Sequence, residues 1–132
     1  MSDPNDPCIF CTPRDVTRRN ELAYCTRDSY PASPGHALVV PYRHCADFFE
    51  LSTDEVNACL ALLREEKLAL DAEFEPDGYN IGANVNPAAG QSIFHVHIHL
   101  IPRYRGDAEN PQGGVRHVVP GKGHYVRKGW KR

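Results

Sequence analysis

The sequence predicts a single α+β domain built on an antiparallel sheet. One long helical pattern stands between short apolar segments of strand length, and the loops between these segments are of hairpin length. A chain of 132 residues suits one domain with one hydrophobic core. A hydrophobic content of 41% and a charged content of 24% are ordinary for a globular protein, which argues against a disordered chain.

Two short strands are predicted ahead of the helix. Residues 21–26 form the first, and residues 37–41 form a β-branched apolar run that ends at Pro41. The loop between them, residues 28–36, is rich in proline and glycine, which is typical of a turn. We therefore place both strands in the antiparallel sheet.

The strongest local pattern predicts a helix over residues 53–74. Ser52, followed three residues later by Glu55, matches a capping box at the helix start. Pro76-Asp-Gly78 ends the helix. The predicted buried stripe has a period near 3.6 residues, is apolar at all but one position, and runs through Val56, Leu60, Leu63, Lys67, Leu70 and Phe74.

Two more strands are predicted after the helix. Residues 79–85 alternate enough for one strand, residues 86–90 form a loop, and residues 93–102 show the clearest strand pattern of the chain. The remainder from residue 106 shows no clear periodicity and is predicted to be mostly loop, with a short extended piece at 115–119. The domain core spans about residues 8–120, and residues 121–132 form a basic, flexible tail.

The charge balance gives no bulk attraction to nucleic acid or to anionic membranes. Fifteen Lys and Arg face 17 Asp and Glu, for a formal net charge of −2. No apolar run approaches the ~18 residues of a membrane span. Residues 1–7 are acidic and broken by prolines, unlike a signal peptide. We therefore expect a cytoplasmic protein with no nucleic-acid and no membrane partner.

Three histidines in the last predicted strand form the main chemical signal. Successive strand side chains point to opposite faces, so His95, His97 and His99 share one face, with adjacent rings about 6.5–7 Å apart. Aliphatic Val96, Ile98 and Leu100 line the other face. Packing alone does not account for such a row. The residues leave two interpretations open, a metal site or a row that handles phosphate.

The cysteines divide into a pair and three single residues. Cys8 and Cys11 form a CxxC pair, which offers two ligands at zinc-finger spacing. A redox-active pair is the alternative, although no thioredoxin-like βαβ pattern surrounds it. The three others lie in apolar segments and are predicted to be buried thiols: Cys25, Cys45 and Cys59.

Taken together, these motifs resemble the histidine-triad (HIT) family of nucleotidyl hydrolases and transferases. The HxHxHxx run follows Gly90-Gln91-Ser92, and Pro34-Gly-His36-Ala-Leu-Val-Val-Pro41 is similar to the family's amino-terminal half. The segment Gly78-Tyr-Asn-Ile-Gly82 is similar to its fourth strand. Ile101-Pro-Arg103 resembles a branch that hydrolyses dinucleoside polyphosphates, and residues 113–120 resemble a bacterial branch. The resemblance spans about residues 8–120 and implies a five-stranded antiparallel sheet, short helical segments beside the long helix, and a homodimer that binds purine nucleotides.

The resemblance also implies roles for individual residues. His97 matches the nucleophile that attacks the α-phosphorus, while His99 and His36 match histidines around the phosphate. Six residues match positions that contact base, ribose, phosphate or leaving group: Ile9, Phe10, Asp28, Asn84, Gln91 and Ser92. Four match a structural Cys2His2 zinc site with one ion per chain: Cys8, Cys11, His44 and His95. Thr26 and Ser29 stand where many members carry large apolar residues beside the base.

The leading functional prediction is cleavage at the α-phosphate of a dinucleoside polyphosphate or a related conjugate through a nucleotidyl-histidine intermediate. A nucleoside phosphoramidase and a slow purine-nucleotide-binding or sensing module are the alternatives. A catalytic metal held by all three histidines is disfavoured, because alternate strand residues lie too far apart for one tetrahedral ion.

Overall fold

The structure, a computed structural model, describes residues 8–130. Within them the strands are β1 (Arg18–Arg19), β2 (Ala23–Arg27), β3 (Ala37–Pro41), β4 (Gly78–Gly82) and β5 (Ile98–Arg103). The long helix is α1 (Thr53–Phe74), and short 3₁₀ helices span Phe48–Glu50, Pro87–Ala89 and Gly114–Val118. This arrangement is the predicted α+β fold with a five-stranded antiparallel sheet.

The sheet has the order β1-β2-β3-β5-β4, and every neighbouring pair is antiparallel. Helix α1 packs against one face of it. The core between helix and sheet consists mainly of Ala23, Cys25, Ala37, Val39, Ile98 and Leu100 from the strands and Cys59, Leu62, Leu63 and Leu70 from the helix. Because strand side chains alternate, the residues between these sheet positions point to the opposite face.

That opposite face carries a second apolar cluster and the polar residues of the site. Tyr24 and Leu38 belong to the cluster, and Phe10, from the chain ahead of β1, packs over them. The Tyr24 hydroxyl donates to the Phe10 carbonyl over 2.7 Å, which holds this amino-terminal segment on the sheet. Thr26 lies beside Leu38, and Leu38 lies beside His99. The pairing register thus brings the β5 histidine to the same face as the apolar cluster.

Helix α1 begins and ends where the sequence predicts, and its buried face agrees with the prediction in part, since Leu63 and Leu70 are buried. The predicted capping box is present, with Ser52 Oγ accepting from the Glu55 N–H and the Glu55 carboxylate accepting from the Ser52 N–H. Leu60, predicted to be buried, is 49% exposed, whereas Glu66 is fully buried. The reason is an ion pair, since the Glu66 carboxylate accepts from Arg18 Nε at 2.6 Å and turns this face toward β1.

The last strand is shorter than predicted and starts at Ile98 instead of residue 93. Pro41, on the neighbouring strand, has no N–H, and its carbonyl accepts from the ring of His95. The Val96 N–H donates to the Cys45 carbonyl instead of joining the ladder. Strand β4 ends at Gly82 instead of residue 85, because its last partner, His99, lies at the start of β5.

Three smaller expectations need correction. Strand β2 covers Ala23–Arg27 instead of 21–26, because the Asn20 side chain accepts from the Leu22 and Ala23 N–H groups and forms a turn there. The extended piece at 115–119 is a 3₁₀ helix that follows Gly113, which has a φ of 92°. The two-residue strand β1 was not predicted.

The carboxyl-terminal tail lies against the last 3₁₀ helix over part of its length. Arg116 donates to the carbonyls of Gly123 and Lys122, and its guanidinium stacks on the Tyr125 ring. The expectations for residues 1–7 and for the end of the tail, residues 131–132, lie outside the described residues. In the described part of the chain, no helix has the length and apolarity needed to cross a membrane.

Candidate functional site

A cavity of about 490 Å³ opens on the sheet face opposite α1. Its volume falls in the range of small-molecule sites. Seven of the predicted site residues line it: Ile9, Phe10, Asp28, Asn84, Ser92, His97 and His99. Two predicted residues, His36 and Gln91, are buried and do not line the cavity.

His97 is positioned by a backbone carbonyl. Its Nδ1 lies 2.8 Å from the His95 carbonyl oxygen, and a carbonyl only accepts, so Nδ1 carries the ring proton. The opposite nitrogen, Nε2, therefore keeps its lone pair. The Phe10 ring packs against the His97 ring at a centroid distance of 5.0 Å and limits its rotation. His97 thus offers a fixed, unprotonated nitrogen on a ring that lines the cavity.

His99 is oriented through His36. The Ala32 N–H donates to His36 Nδ1 at 2.9 Å, so the proton of neutral His36 is on Nε2. That Nε2–H lies 2.9 Å from His99 Nδ1, which accepts it. Neutral His99 consequently carries its own proton on Nε2. This chain of hydrogen bonds from Ala32 through His36 to His99 is called the relay below. It makes Nε2 of His99 a hydrogen-bond donor, whereas Nε2 of His97 is an acceptor.

Burial keeps this relay neutral. Burial, with the neighbouring His97 and His36, lowers the pKa of His99 to about 4. Burial also lowers the pKa of His36, although the nearby Asp28 carboxylate opposes the shift. Both rings are therefore uncharged at neutral pH, as the assigned proton positions require.

Asp28 follows β2 at the polar end of the cavity. One carboxylate oxygen, Oδ1, accepts from the Tyr30 N–H at 2.9 Å, which forms a turn. The other, Oδ2, lies 3.4 Å from His36 Nε2 and 3.8 Å from His99 Nδ1. Asp28, His36 and His99 lie close enough together for a metal ion. The proton that Ala32 forces onto His36 Nε2 occupies the position of a metal bond, so the relay does not suit an ion.

The apolar end of the cavity is formed by the segment that carries the CxxC pair. Phe10 is buried, while Ile9 is 60% exposed at the rim. Leu38 lies on the floor. An apolar surface of this kind suits the face of a flat ring, because burying such a face requires no hydrogen bonds.

The two neighbouring residues Gln91 and Ser92 differ in what they can offer a ligand. The Gln91 amide accepts from the Asn86 N–H and donates to the Ala46 and Ile93 carbonyls, so it braces the loop. Ser92 is exposed and lines the cavity, as does Asn84. Of the three residues predicted to contact phosphate or leaving group, Ser92 and Asn84 line the cavity. Gln91 instead uses its side-chain amide for hydrogen bonds to the backbone.

Next to the cavity, Cys8, Cys11, His44 and His95 converge. His44 Nδ1 and His95 Nδ1 lie 3.3 Å apart, and Cys11 Sγ lies 3.1 Å from His44 Nδ1 and 3.6 Å from His95 Nδ1. A tetrahedral zinc ion spaces its nitrogen ligands about 3.3 Å apart, and a nitrogen and a sulfur about 3.6 Å apart. The His95 ring donates its Nε2–H to the Pro41 carbonyl at 2.7 Å, which leaves Nδ1 unprotonated. The four side chains therefore fit a metal ion.

Several groups of the site were not predicted from the sequence. The carbonyls of Pro41 and His95 and the N–H of Ala32 fix the ring nitrogens, and no residue-type motif marks a backbone group. Arg14 and Asp15 also line the cavity. Their position follows from the path of the chain over β2, which spacing along the sequence does not encode.

The fold and site define a class of α+β proteins in which two histidines line one cavity and carry their ring protons on opposite nitrogens. The family model described as "HIT domain" matches residues 11–106, which is most of the chain. The protein belongs to the HIT family.

Relatives in the family include proteins named for nucleotide cleavage. A HIT-like protein of Mycoplasma pneumoniae is 32% identical over 79% of this chain and 76% of its own length. The AP-4-A phosphorylase of Mycobacterium tuberculosis is 35% identical over 70% of this chain and 48% of its own length. Adenylylsulfatase HINT3 of Arabidopsis thaliana is 32% identical over 76% of this chain and 54% of its own length. The chain thus spans about half the length of the two named enzymes.

Solved structures agree with the fold. A HIT family protein from Bacillus anthracis superposes with a TM-score of 0.72 at 29% identity, over 96% of this chain and 83% of that one. A zinc-bound histidine triad family protein from Mycobacterium smegmatis superposes with a TM-score of 0.70 at 30% identity, over 78% of this chain and 79% of that one.

Proposed function

We propose that this protein hydrolyses or transfers nucleotidyl groups by cleaving at the α-phosphate of dinucleoside polyphosphates or related nucleotide conjugates. The observation that carries the proposal is the 2.8 Å hydrogen bond from His97 Nδ1–H to the His95 carbonyl, which leaves Nε2 free. A neutral imidazole nitrogen is a good nucleophile near pH 7. A pocket for binding alone would have no need of such a fixed lone pair.

In the first step, His97 Nε2 attacks the α-phosphorus. A phosphorus–nitrogen bond forms, and the bond to the bridging atom breaks, so the rest of the substrate leaves with the bonding electron pair. The His97 ring becomes cationic, and its Nδ1–H stays hydrogen-bonded to the His95 carbonyl, which favours that charge. In the second step, water attacks the phosphorus and releases one proton to solvent, and the phosphorus–nitrogen bond breaks to restore neutral His97 and release the nucleoside monophosphate.

His99 is the donor of this mechanism. Its Nε2–H would stabilise charge on a phosphate oxygen or on the leaving atom, and His36 holds the ring in that proton arrangement. Neutral His99 donates a hydrogen bond and keeps its proton, so the proton that a leaving amine takes up would come from water. The loss on removing His99 should shrink for substrates with good leaving groups, because less charge on the leaving atom then needs the hydrogen bond.

The remaining predicted residues would hold the nucleotide. Phe10 and Ile9 would contact the base, Asp28 would accept from the ribose hydroxyls, and Asn84 and Ser92 would contact phosphate or leaving group. Gln91 would act by bracing the loop that presents Ser92.

We propose that Cys8, Cys11, His44 and His95 hold one structural zinc ion per chain. Three spacings lie near those of tetrahedral zinc and support this proposal: 3.3 Å between the two Nδ1 atoms, and 3.4 Å and 3.6 Å from His95 Nδ1 to the sulfurs of Cys8 and Cys11. Four protein ligands leave no position for substrate, so the ion would serve to tie the amino-terminal segment to the loop that precedes β5. That loop ends at His97, and zinc would thereby stabilise the nucleophile's position.

We also propose a homodimer. Strand β4 lies at the edge of the sheet, and its Ile81 is 55% exposed. An open edge with an apolar residue favours pairing with another chain. Light scattering at micromolar concentration should give twice the chain mass, and a monomer mass would contradict the proposal.

Turnover of a substrate panel tests the activity. The panel contains dinucleoside polyphosphates of several lengths and nucleoside phosphoramidates, with kcat/KM measured for each and products separated by chromatography. We expect a nucleoside monophosphate from every substrate that is cleaved. Tight binding without turnover across the panel would favour the sensing module instead.

A further inference from the structure

Arg14 and Asp15 form one wall of the cavity, and Thr26 holds them there. The Thr26 hydroxyl lies 2.9 Å from the Arg14 carbonyl and 3.3 Å from the Asp15 carbonyl, so it donates to the backbone of this segment. Asp15 adopts a left-handed conformation with a φ of 51°, which Asp tolerates better than most residues do. The backbone of the segment is thus pinned over β2.

This wall lies on the far side of the cavity from the histidines. Thr26 pairs with Leu38, and Leu38 pairs with His99, so two strand spacings, about 9.6 Å, separate Thr26 from His99. Asp28 lies two residues beyond Thr26 and lines the same cavity. On the proposed function, the α-phosphate is at His97 and the ribose is at Asp28. The base then lies over Thr26, with two adjoining edges, Watson–Crick and Hoogsteen, toward Asp15 and Arg14.

Both side chains are free to contact a ligand. Within residues 8–130, neither the Arg14 guanidinium nor the Asp15 carboxylate has a hydrogen bond or ion pair. Arg27, a second arginine of the cavity, differs in this respect because Glu66 and Glu73 hold its guanidinium. The free cation and anion of the cavity wall are therefore adjacent in sequence.

We infer that the pocket selects guanine nucleotides over adenine nucleotides, an inference that rests on the proposed function. A carboxylate only accepts, and guanine presents two neighbouring donors, N1–H and the N2 amino group, to Asp15. A guanidinium only donates, and guanine presents two neighbouring acceptors, O6 and N7, to Arg14. Adenine has an amino group in place of O6 and an acceptor in place of N1–H. Each of the two contacts is therefore mismatched with adenine.

Two polar residues that line the cavity agree with this selection. Thr26 and Ser29 leave this end of the cavity less apolar than a purely stacking site would be, and both line it. A well-formed two-bond contact to a base edge discriminates roughly 5- to 150-fold against the wrong base. At a partly open site such as this, we expect a preference at the lower end of that range for each contact.

Calorimetric titration of the full chain with GMP, IMP and AMP tests the inference independently of turnover. We expect GMP to bind at least tenfold more tightly than AMP. IMP lacks only the N2 amino group of guanine, and it should fall between them. Asp15→Asn keeps a residue that tolerates the left-handed backbone and should reduce the GMP-to-AMP ratio to about threefold or less. Arg14→Gln should reduce it by a similar amount.

Arg19→Gln is the matched control, because Arg19 lies on β1, outside the cavity. It should leave the ratio unchanged. Equal binding of GMP and AMP by the unmodified protein would overturn the inference and leave the proposed function standing. Equal weakening of both nucleotides by Arg14→Gln would also overturn it, because that result indicates a phosphate contact. Binding of none of the three nucleotides would overturn the proposed function together with this inference.

Discussion

His95 and His97 are two residues apart and serve two different regions of the molecule. In the cysteine–histidine cluster, the Pro41 carbonyl takes the Nε2–H of His95 and leaves Nδ1 toward the metal ligands. In the cavity, the His95 carbonyl takes the Nδ1–H of His97 and leaves Nε2 free. The same device, a carbonyl acceptor, thus gives opposite results. The chemistry of each histidine therefore follows from which of its ring nitrogens hydrogen-bonds to the backbone.

The largest expected effect is the loss of turnover on substitution of His97, compared with the loss of metal on substitution of His95. His97→Asn should lower kcat by at least about 10³-fold and leave the melting temperature nearly unchanged, because it removes the nucleophile and no metal ligand. His95→Asn should lower the melting temperature and release metal. Activity assays and calorimetric melting of both variants check that turnover falls in His97→Asn and that thermal stability falls in His95→Asn. His117→Asn is the control, since the His117 ring is exposed and bonds only to the Gln112 carbonyl in the described chain. Near-normal turnover by His97→Asn would contradict the assignment.

Removing the metal should affect stability more than catalysis. Cys8→Ser should release the ion and lower the melting temperature by about 10 °C, corresponding to on the order of 3 kcal/mol for a domain of this size. The fraction of protein still folded should keep most of its specific activity. Elemental analysis and thermal melting measure both effects. Cys25→Ala, in the core away from the cluster, should lower stability but keep the zinc. Protein purified without chelator that contains no zinc would contradict the metal proposal.

A smaller effect concerns His99 and pH. Its pKa of about 4 lies below the ordinary value of 6.5, so the folded state favours the neutral ring. The contribution of this pKa shift to the unfolding free energy is fully present above pH 6.5 and is lost as the pH falls toward 4. Between pH 7.5 and pH 4.5, the wild-type protein should lose on the order of 2 kcal/mol more unfolding free energy than His99→Asn.

Urea unfolding of the two proteins at both pH values measures this difference. An identical pH dependence for wild type and His99→Asn would mean that His99 titrates near its ordinary pKa, and the neutral relay would then be wrong.

Local signals made parts of this molecule predictable. The bounds of α1 follow from the Ser52 and Glu55 cap, which depends on residues three apart in sequence. The burial of Glu66 on the same helix was not predicted, because it depends on an ion pair with Arg18, which is distant in sequence. An ionised residue on a helix predicts exposure unless its partner is known. Periodicity alone therefore identified the helix and part of its buried face, including Leu63 and Leu70, but not Glu66.

The site, like the helix, was predicted where local sequence signals decide and not where long-range contacts decide. The spacing of the three histidines predicted a chemical site, but the strand begins after His95 and His97, and the rings of His97 and His99 lie 5.1 Å apart instead of 6.5–7 Å. The proton positions depend on carbonyls of distant or irregular backbone, which sequence patterns do not reveal. The CxxC pair and its two histidines came together as the resemblance implied.

We propose that His97 Nε2 forms a covalent bond to the α-phosphorus, and trapping this intermediate tests the bond itself. Enzyme is mixed with a dinucleoside polyphosphate, quenched during turnover under conditions that preserve phosphorus–nitrogen bonds, digested and examined by mass spectrometry. We expect a nucleoside monophosphate adduct on the peptide that contains His97, with fragment ions that place it on that residue and no adduct in His97→Asn. An adduct on His99, His36 or another residue of an active enzyme would contradict it.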